Sequence, residues 1–373
     1  MTVSRNFGSM QFFLVAALVL SAATALAQQK QAVDSRNDPD FRIITFDVPG
    51  GNQTSPLAIS PSGQIVGVYT DINAGAGRSF VRNADDTFTT FSVLNALGTR
   101  ATGVNESGQI VGWYFILEGY DTVQPGFLRN SDGAITTIGL EAYANVFPEG
   151  INSRGQVVGY WNGPNVEGDG FLQQPDGTIA SFDVAPNGSV GGGTTDVAIN
   201  SSGESTGFYN DGEGRQHGFL RRADGKIVRF DVPGATDTVP QAINSGGQIA
   251  GSYTEGDTHG FLREADGRIV RFDVPGAMAT LPIAINARGQ IAGSFFDDES
   301  ASHGFLREAD GSIERFDVPN STDTLPAAMN ERGEITGGFL DSARDEHGFL
   351  LTPNKHSIEG HDFERWSGLP ARW

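Results

Sequence analysis

The sequence contains no cysteine, which excludes disulfide staples, thiol nucleophiles and thiolate metal sites. Positive charge is scarce: 25 Lys and Arg stand against 45 Asp and Glu, a net charge of −20 in 373 residues. A surface of that sign argues against nucleic acid and anionic membrane surfaces as partners, and leaves cations or basic partners open. Solubility outside the cell is the blander meaning of the same excess. Catalytic signatures are missing too. There is no G-x-S-x-G and no H-E-x-x-H, and the glycine-rich stretch at 187–193 lacks a following Gly-Lys-Ser/Thr.

Long apolar runs are absent but for one near the start. Arg5 supplies a positive flank, residues 12–20 are apolar and too short to span a bilayer, and Ala25-Leu26-Ala27 precedes Gln28. This pattern predicts a signal peptide over 1–27, with a retained membrane anchor as the alternative, and a secreted or periplasmic protein. Residues 28–40 form a polar, flexible lead-in.

What the chain does have is 50 glycines and one unit copied along it. An aromatic or aliphatic residue opens an FDVP-like segment at Phe46, Phe91, Ile138, Phe182, Phe230, Phe272 and Phe316, in steps of 42 to 48 residues. A second marker, AIN-x-x-G-Q-I-x-G, turns on Ser60, Asn105, Asn152, Asn200, Asn244, Asn286 and Asn330. Both markers count seven. Within a unit, Asn244 to Gly247 reads as a turn, 248–253 as a strand, 260–263 as another, Asp266-Gly267 as a hairpin turn and 268–274 as a half-buried strand. Ala242-Ile243 closes a short apolar strand before the turn. Four short antiparallel strands in about 44 residues match a propeller blade.

The ends fit a ring. One strand-like segment, 41–48, precedes the first unit, and the last unit stops after its third strand. The expectation is an all-β, seven-bladed β-propeller of four-stranded blades over 41–352. It has 28 strands and is closed by the N-terminal strand pairing with the last blade. Six or eight blades would follow only if a degenerate copy were miscounted. A glycine recurs in the second strand of every unit, from Gly67 to Gly337, and predicts crowding inside each blade. Residues 353–373 break the repeat as a tail that packs on a blade or docks a partner.

Candidate sites lie where the copies differ. Two loop types share one face of the expected ring, and the loops between second and third strands are acidic and variable. Asp297, Asp298 and Glu299 offer oxygen ligands to Ca²⁺ without an EF-hand spacing, and solvated acidic loops are the plainer alternative. Tyr114, Tyr120, Tyr160 and Trp161 offer aromatic stacking to a sugar, with core packing as the alternative. His217, His259, His303 and His347 each precede Gly-Phe. Because each holds the same place in its own unit, they are expected to be structural and apart rather than a shared metal site.

His-Gly-Phe-Leu, Asp-Gly, Phe-Asp-Val-Pro-Gly and Ile-Asn-x-x-Gly-Gln-Ile-x-Gly together resemble the bacterial extracellular HAF-type repeat proteins over nearly all of 41–352. The first three copies lack the histidine. The resemblance implies export and a repeat fold, and no catalytic residues. The expected function is a monomeric, exported, non-catalytic scaffold without a cofactor, calcium aside. Its variable acidic face would bind a carbohydrate or an extracellular protein. The alternative is a propeller enzyme, a polysaccharide lyase or hydrolase working at the channel mouth. The two differ in whether ionisable groups from several blades converge. A structural envelope protein is the third reading.

Overall fold

The computed structural model describes residues 41–119, 121–139, 145–163, 166–185 and 193–354. The expected leader and lead-in, Tyr120, and the tail beyond Asn354 lie outside the described residues. Among those described there are 29 strands and no helix, so no helix long and apolar enough to cross a membrane.

Each repeat begins with an innermost strand: Gly51–Ile59, Gly98–Val104, Asn145–Ile151, Thr194–Ile199, Asp237–Ile243, Ala279–Ile285 and Asp323–Met329. These strands neighbour one another in a closed circuit, the last returning to the first. Three further strands extend outward from each. Hydrogen bonding groups the strands into six sheets: four of four strands, one of five and one of eight. The eight-stranded sheet holds repeats five and six, joined by one parallel bridge between Thr258 and Ala279. The strand beyond the expected 28 is Asp121–Val123. It pairs with the extended strand Ile110–Glu118, so the aromatic insertion of repeat two is a projecting ribbon rather than a loop.

The N-terminal strand Phe41–Phe46 lies antiparallel on Glu346–Pro353, with Phe41 opposite Pro353 and Phe46 opposite Gly348. The expected closure is thus present, and it covers an edge that would otherwise be open.

The innermost strands begin earlier than the sequence suggested. Asp237 and Thr238 belong to the strand, not to the connection before it, and Pro240 sits inside it. Proline lacks a ladder donor, which discourages a strand assignment. An innermost strand is an edge, however, and the register slips between Pro240 and Ala242, so that donor is not required. The slip recurs in every repeat and packs the bulged strand tightly on the next. A Cβ on Gly207 would lie 1.9 Å from the Thr195 carbonyl oxygen, and one on Gly251 would lie 2.2 Å from that of Val239. This is the crowding that the recurrent glycine predicts.

Each third strand, Gly-Phe-Leu in six repeats and Ser79-Phe80-Val81 in the first, buries its phenylalanine completely: Phe80, Phe127, Phe171, Phe219, Phe261, Phe305 and Phe349. Except at Phe171, where the preceding repeat closes on Ile138, the Phe closing the preceding repeat packs tilted or edge-on against it. Phe230 and Phe261 stand 6.2 Å apart at 74°, and Phe272 and Phe305 stand 6.2 Å apart at 71°. Full burial of one such side chain is worth about 2–3 kcal/mol, and these rings make the seam between repeats.

The Asp-Gly hairpin is longer than two residues. Arg263 pairs with Ile269, and Asp266 Oδ1 accepts from the Arg268 amide at 2.9 Å, with Gly267 at φ +96°. At the turn after each innermost strand, Asn244 Oδ1 accepts from the Gly246 and Gln248 amides, both at 3.0 Å. Its Nδ2 donates onward to the Asn286 carbonyl at 2.9 Å. The same step links Asn105 to Asn152, Asn152 to Asn200, Asn200 to Asn244, and Asn330 to Ser60. One side chain therefore shapes its own turn and fastens it to the next.

Candidate functional site: the central channel

The residue before the bulged pair on each innermost strand is half-buried. Down the repeats it reads Ser55, Arg100, Phe147, Thr195, Val239, Leu281 and Leu325. Arg100 is the one charge in that column. In the bulge itself stand Leu57, Thr102, Glu149, Val197, Gln241, Ile283 and Ala327, with Glu149 the one charge. Where the third strand starts, repeat seven places Glu346 against Gln216, Thr258 and Ser302 of the three before it.

Two of these exceptions lie within electrostatic reach of the third. Glu149 and Glu346 are the charges that act on Arg100. Ser55 of repeat one donates its hydroxyl to Glu346 Oε1. Four repeats thus contribute to one place at the axis. Each of these charged side chains is half-buried. Burial pushes the Glu149 carboxyl up to about 7, against the opposing pull of Arg100. Burial also raises Glu346, against its bond from Ser55 and the charge of Arg100. Desolvation lowers the Arg100 guanidinium, and the two carboxylates oppose it.

Aromatic rings line the same wall. Phe147 stacks on Tyr160 with centroids 4.9 Å apart at 26°. Trp113 stands edge-on to Phe147 at 5.8 Å and to Phe115 at 4.9 Å. Burial, and then the charge of Glu149, raises the Tyr160 phenol.

Of Tyr114, Tyr160 and Trp161, the described residues among those singled out in the sequence for stacking, Tyr160 alone belongs here. Tyr114 is 6% exposed and its hydroxyl bonds Thr137 Oγ1 at 3.1 Å. Trp161 is 5% exposed and donates to Ser181 Oγ at 2.9 Å. Strand alternation turns both into the blade, so they are core residues. Tyr120 lies outside the described residues.

Asp297 is committed to its loop. Its Oδ1 accepts from the Glu299 and Ala301 amides at 3.0 and 2.8 Å, and its Oδ2 meets His303 Nε2 at 3.2 Å. Asp298 and Glu299 are exposed. Among the described residues no group of three or more His, Asp or Glu is arranged to hold a metal ion.

The histidines stay apart, each in its own repeat. His303 bonds Asp317 through Nδ1 at 2.9 Å and stacks on Phe295 at 5.0 Å. His217, His259 and His347 repeat the pattern with Asp231, Asp273 and Asp47. Repeat one substitutes Arg78, whose Nε pairs with Asp71 at 2.8 Å. For His217 and His303, burial opposes the charged form, but bonds from two aspartates outweigh it and raise both rings.

A separate groove of about 570 Å³ opens on the outer rim between repeats four and five. Its arginines are engaged: Arg229 donates to the Val184 carbonyl, Arg271 pairs with Glu255 at 2.7 Å, and Arg263 lies over the Phe230 ring at 4.9 Å. It is a packing seam.

No protein-family model matches the sequence, and no curated protein matches it. Among solved structures the chain is similar to the β-propeller domain of the Trilobed protease from Pyrococcus furiosus. That match has 10% identity and a TM-score of 0.59, covering 81% of this chain and 97% of that one. It is similar to virginiamycin B lyase from Staphylococcus aureus, at 16% identity and a TM-score of 0.55, covering 84% and 99%. It is also similar to a prolyl endopeptidase, at 11% identity and a TM-score of 0.56, covering 87% of this chain and 54% of that one. At these identities the likeness shows the fold alone, and the chain is an all-β β-propeller.

Proposed function

We propose that the protein is an exported, ligand-binding propeller. Its ligand enters the central channel and is held by Arg100, Glu149 and Glu346 against Trp113, Phe147 and Tyr160. The observation carrying this is the convergence: Arg100, Glu149 and Glu346 are each exceptional in their own column of the repeat, and both glutamates act on Arg100. Charges taken out of water at separate repeats destabilise the fold, and that cost is explicable where they serve a ligand. The variable acidic loops then frame the entrance. A carbohydrate or the end of an extracellular polymer suits aromatic walls with convergent polar groups. Seven blades is the count we favour, taking the eight-stranded sheet as two. The HAF-type repeat character and export through residues 1–27 belong to the same proposal.

The second reading is an enzyme of the lyase or hydrolase kind. What favours it is the enclosed Glu149 carboxyl near 7, in the range where a general acid or base works best.

The experiment is a thermal-shift and titration screen of the chain from Gln28 onward. It uses bacterial and plant glycans, with and without Ca²⁺ or EDTA, on the wild type and the Arg100→Ala/Trp113→Ala double variant. We expect one glycan class to raise the melting temperature of the wild type only. A ligand bound equally by the double variant would move the site away from the channel. Mass spectrometry of the bound glycan separates binding from turnover.

A further inference from the structure

We infer that the channel site takes a ligand bearing an ammonium group, such as an amino sugar or a quaternary amine, seated between the aromatic wall and the two glutamates. The inference rests on the channel reading above and names its ligand chemistry.

The charges decide the sign. Arg100 contributes +1, and Glu149 and Glu346 contribute −1 each when ionised, so the fully ionised site is one negative charge in excess. The chain as a whole carries −20, the same sign, and a cleft with low-dielectric walls focuses such a field. Arg100 acts on Glu149, Glu149 acts on Tyr160, and Glu346 acts on Arg100. Without a ligand, a proton on Glu149 relieves the excess, in keeping with its raised titration. A cation relieves it as well, and displaces that proton.

The rings point the same way. A ring face is negative and its edge positive, so an ammonium group is attracted to a ring face. Phe147 and Tyr160 are stacked, and Trp113 is turned edge-on to Phe147 at 81°. The three rings are therefore not all engaged face to face. A carboxylate ligand would gain Arg100 but would meet two carboxylates and the ring faces.

The test uses three probes of one shape: benzyltrimethylammonium, benzyl alcohol and benzoate. Each is titrated into the chain from Gln28 onward by calorimetry at pH 6 and pH 8. A glucosamine oligosaccharide and its N-acetylated counterpart tell an amino sugar from a simple amine. The permanent cation should bind at least about tenfold tighter than benzoate. It should also tighten about tenfold from pH 6 to pH 8, because a group titrating near 7 changes its ionised fraction by that factor. Proton release should appear as a buffer-dependent heat. Glu149→Gln should abolish the pH dependence, and Trp113→Leu should weaken the cation severalfold. Preference for benzoate or benzyl alcohol, lost in the Arg100→Ala/Trp113→Ala variant, would overturn the ammonium inference and leave the channel site standing. Failure of all five probes, with a glycan still responding in the screen above, would do the same. Failure of every ligand would remove both.

Discussion

His347 and Asp47 are 300 residues apart in sequence, and their Nδ1 and Oδ1 atoms are 2.8 Å apart in space. The same pair in repeats four to six joins a repeat's own third and fourth strands. In the last repeat the fourth strand comes from the N-terminus, so the pair becomes a clasp on the ring. The Asp47 bond, against burial, raises the His347 ring above its ordinary 6.5. Its contribution is therefore complete below about pH 6.5 and fades as pH rises through the folded value. Asp341, which faces the other ring nitrogen at 3.5 Å, is subject to a burial penalty but is held low overall by the Asp345 and Ala343 amides. Its share fades as pH falls through its folded value. The clasp should be strongest between about pH 4 and 6.5. His347→Gln should cost about 1 kcal/mol at pH 5.5 after solvent screening, and less at pH 8.5. Paired melting curves at the two pH values check this.

Gly207→Ala should cost about 3 kcal/mol or more, because its Cβ would lie 1.9 Å from the Thr195 carbonyl oxygen and 2.9 Å from the Asp196 Cα. The three nearest atoms are all backbone of the neighbouring strand, with no flexible side chain among them to yield. Gly212→Ala, with nothing within 4 Å, should fall within about 0.5 kcal/mol of wild type. Urea midpoints of the two variants give the comparison directly.

The asparagine ladder has a gap at Ser60. Its hydroxyl accepts from the Gln64 amide at 3.0 Å, as the asparagines do, but it has no second arm. Ser60→Asn should keep that bond and add one to the Asn105 carbonyl, stabilising by about 1 kcal/mol. An unchanged urea midpoint would mean the ladder shapes turns without holding them together.

Repeat four carries a buried acid where most repeats carry proline. Asp196 is fully buried, Ser205 donates to its Oδ2 at 2.7 Å, and its Oδ1 has no partner. Burial raises its carboxyl well above the ordinary range. Other repeats put Pro240 and Ile249 in these two positions. The double change Asp196→Pro/Ser205→Ile should stabilise by about 1–3 kcal/mol, while Ser205→Ile alone should destabilise by stranding the acid. Thermal melting of both variants separates the signs.

The repeat, its four strands, the closure and the structural histidines were legible in the sequence because each is written several times. Seven glycines in register announce a tight contact more loudly than one could. The channel charges were missed for the opposite reason. Arg100, Glu149 and Glu346 are single departures in three different columns, and only aligning each column to its exceptions reveals them. Their meeting also depends on the ring bringing repeat seven beside repeat one. Trp161 and Tyr160 are adjacent in sequence and look equally able to stack on a ligand. Strand alternation sends one into the blade and the other to the axis, and composition does not tell which.

The closing strand has a mechanical consequence. Phe41 lies opposite Pro353, so the two ends of the propeller leave it side by side. Tension applied between them would load the closing hydrogen bonds one after another, like a zipper pulled from its open end, and not all together in shear. The N-terminal strand covers the third strand of the last repeat and so closes the ring, yet a pull along the chain would find its weakest line first and open it from Phe41 toward the clasp at Asp47 and His347.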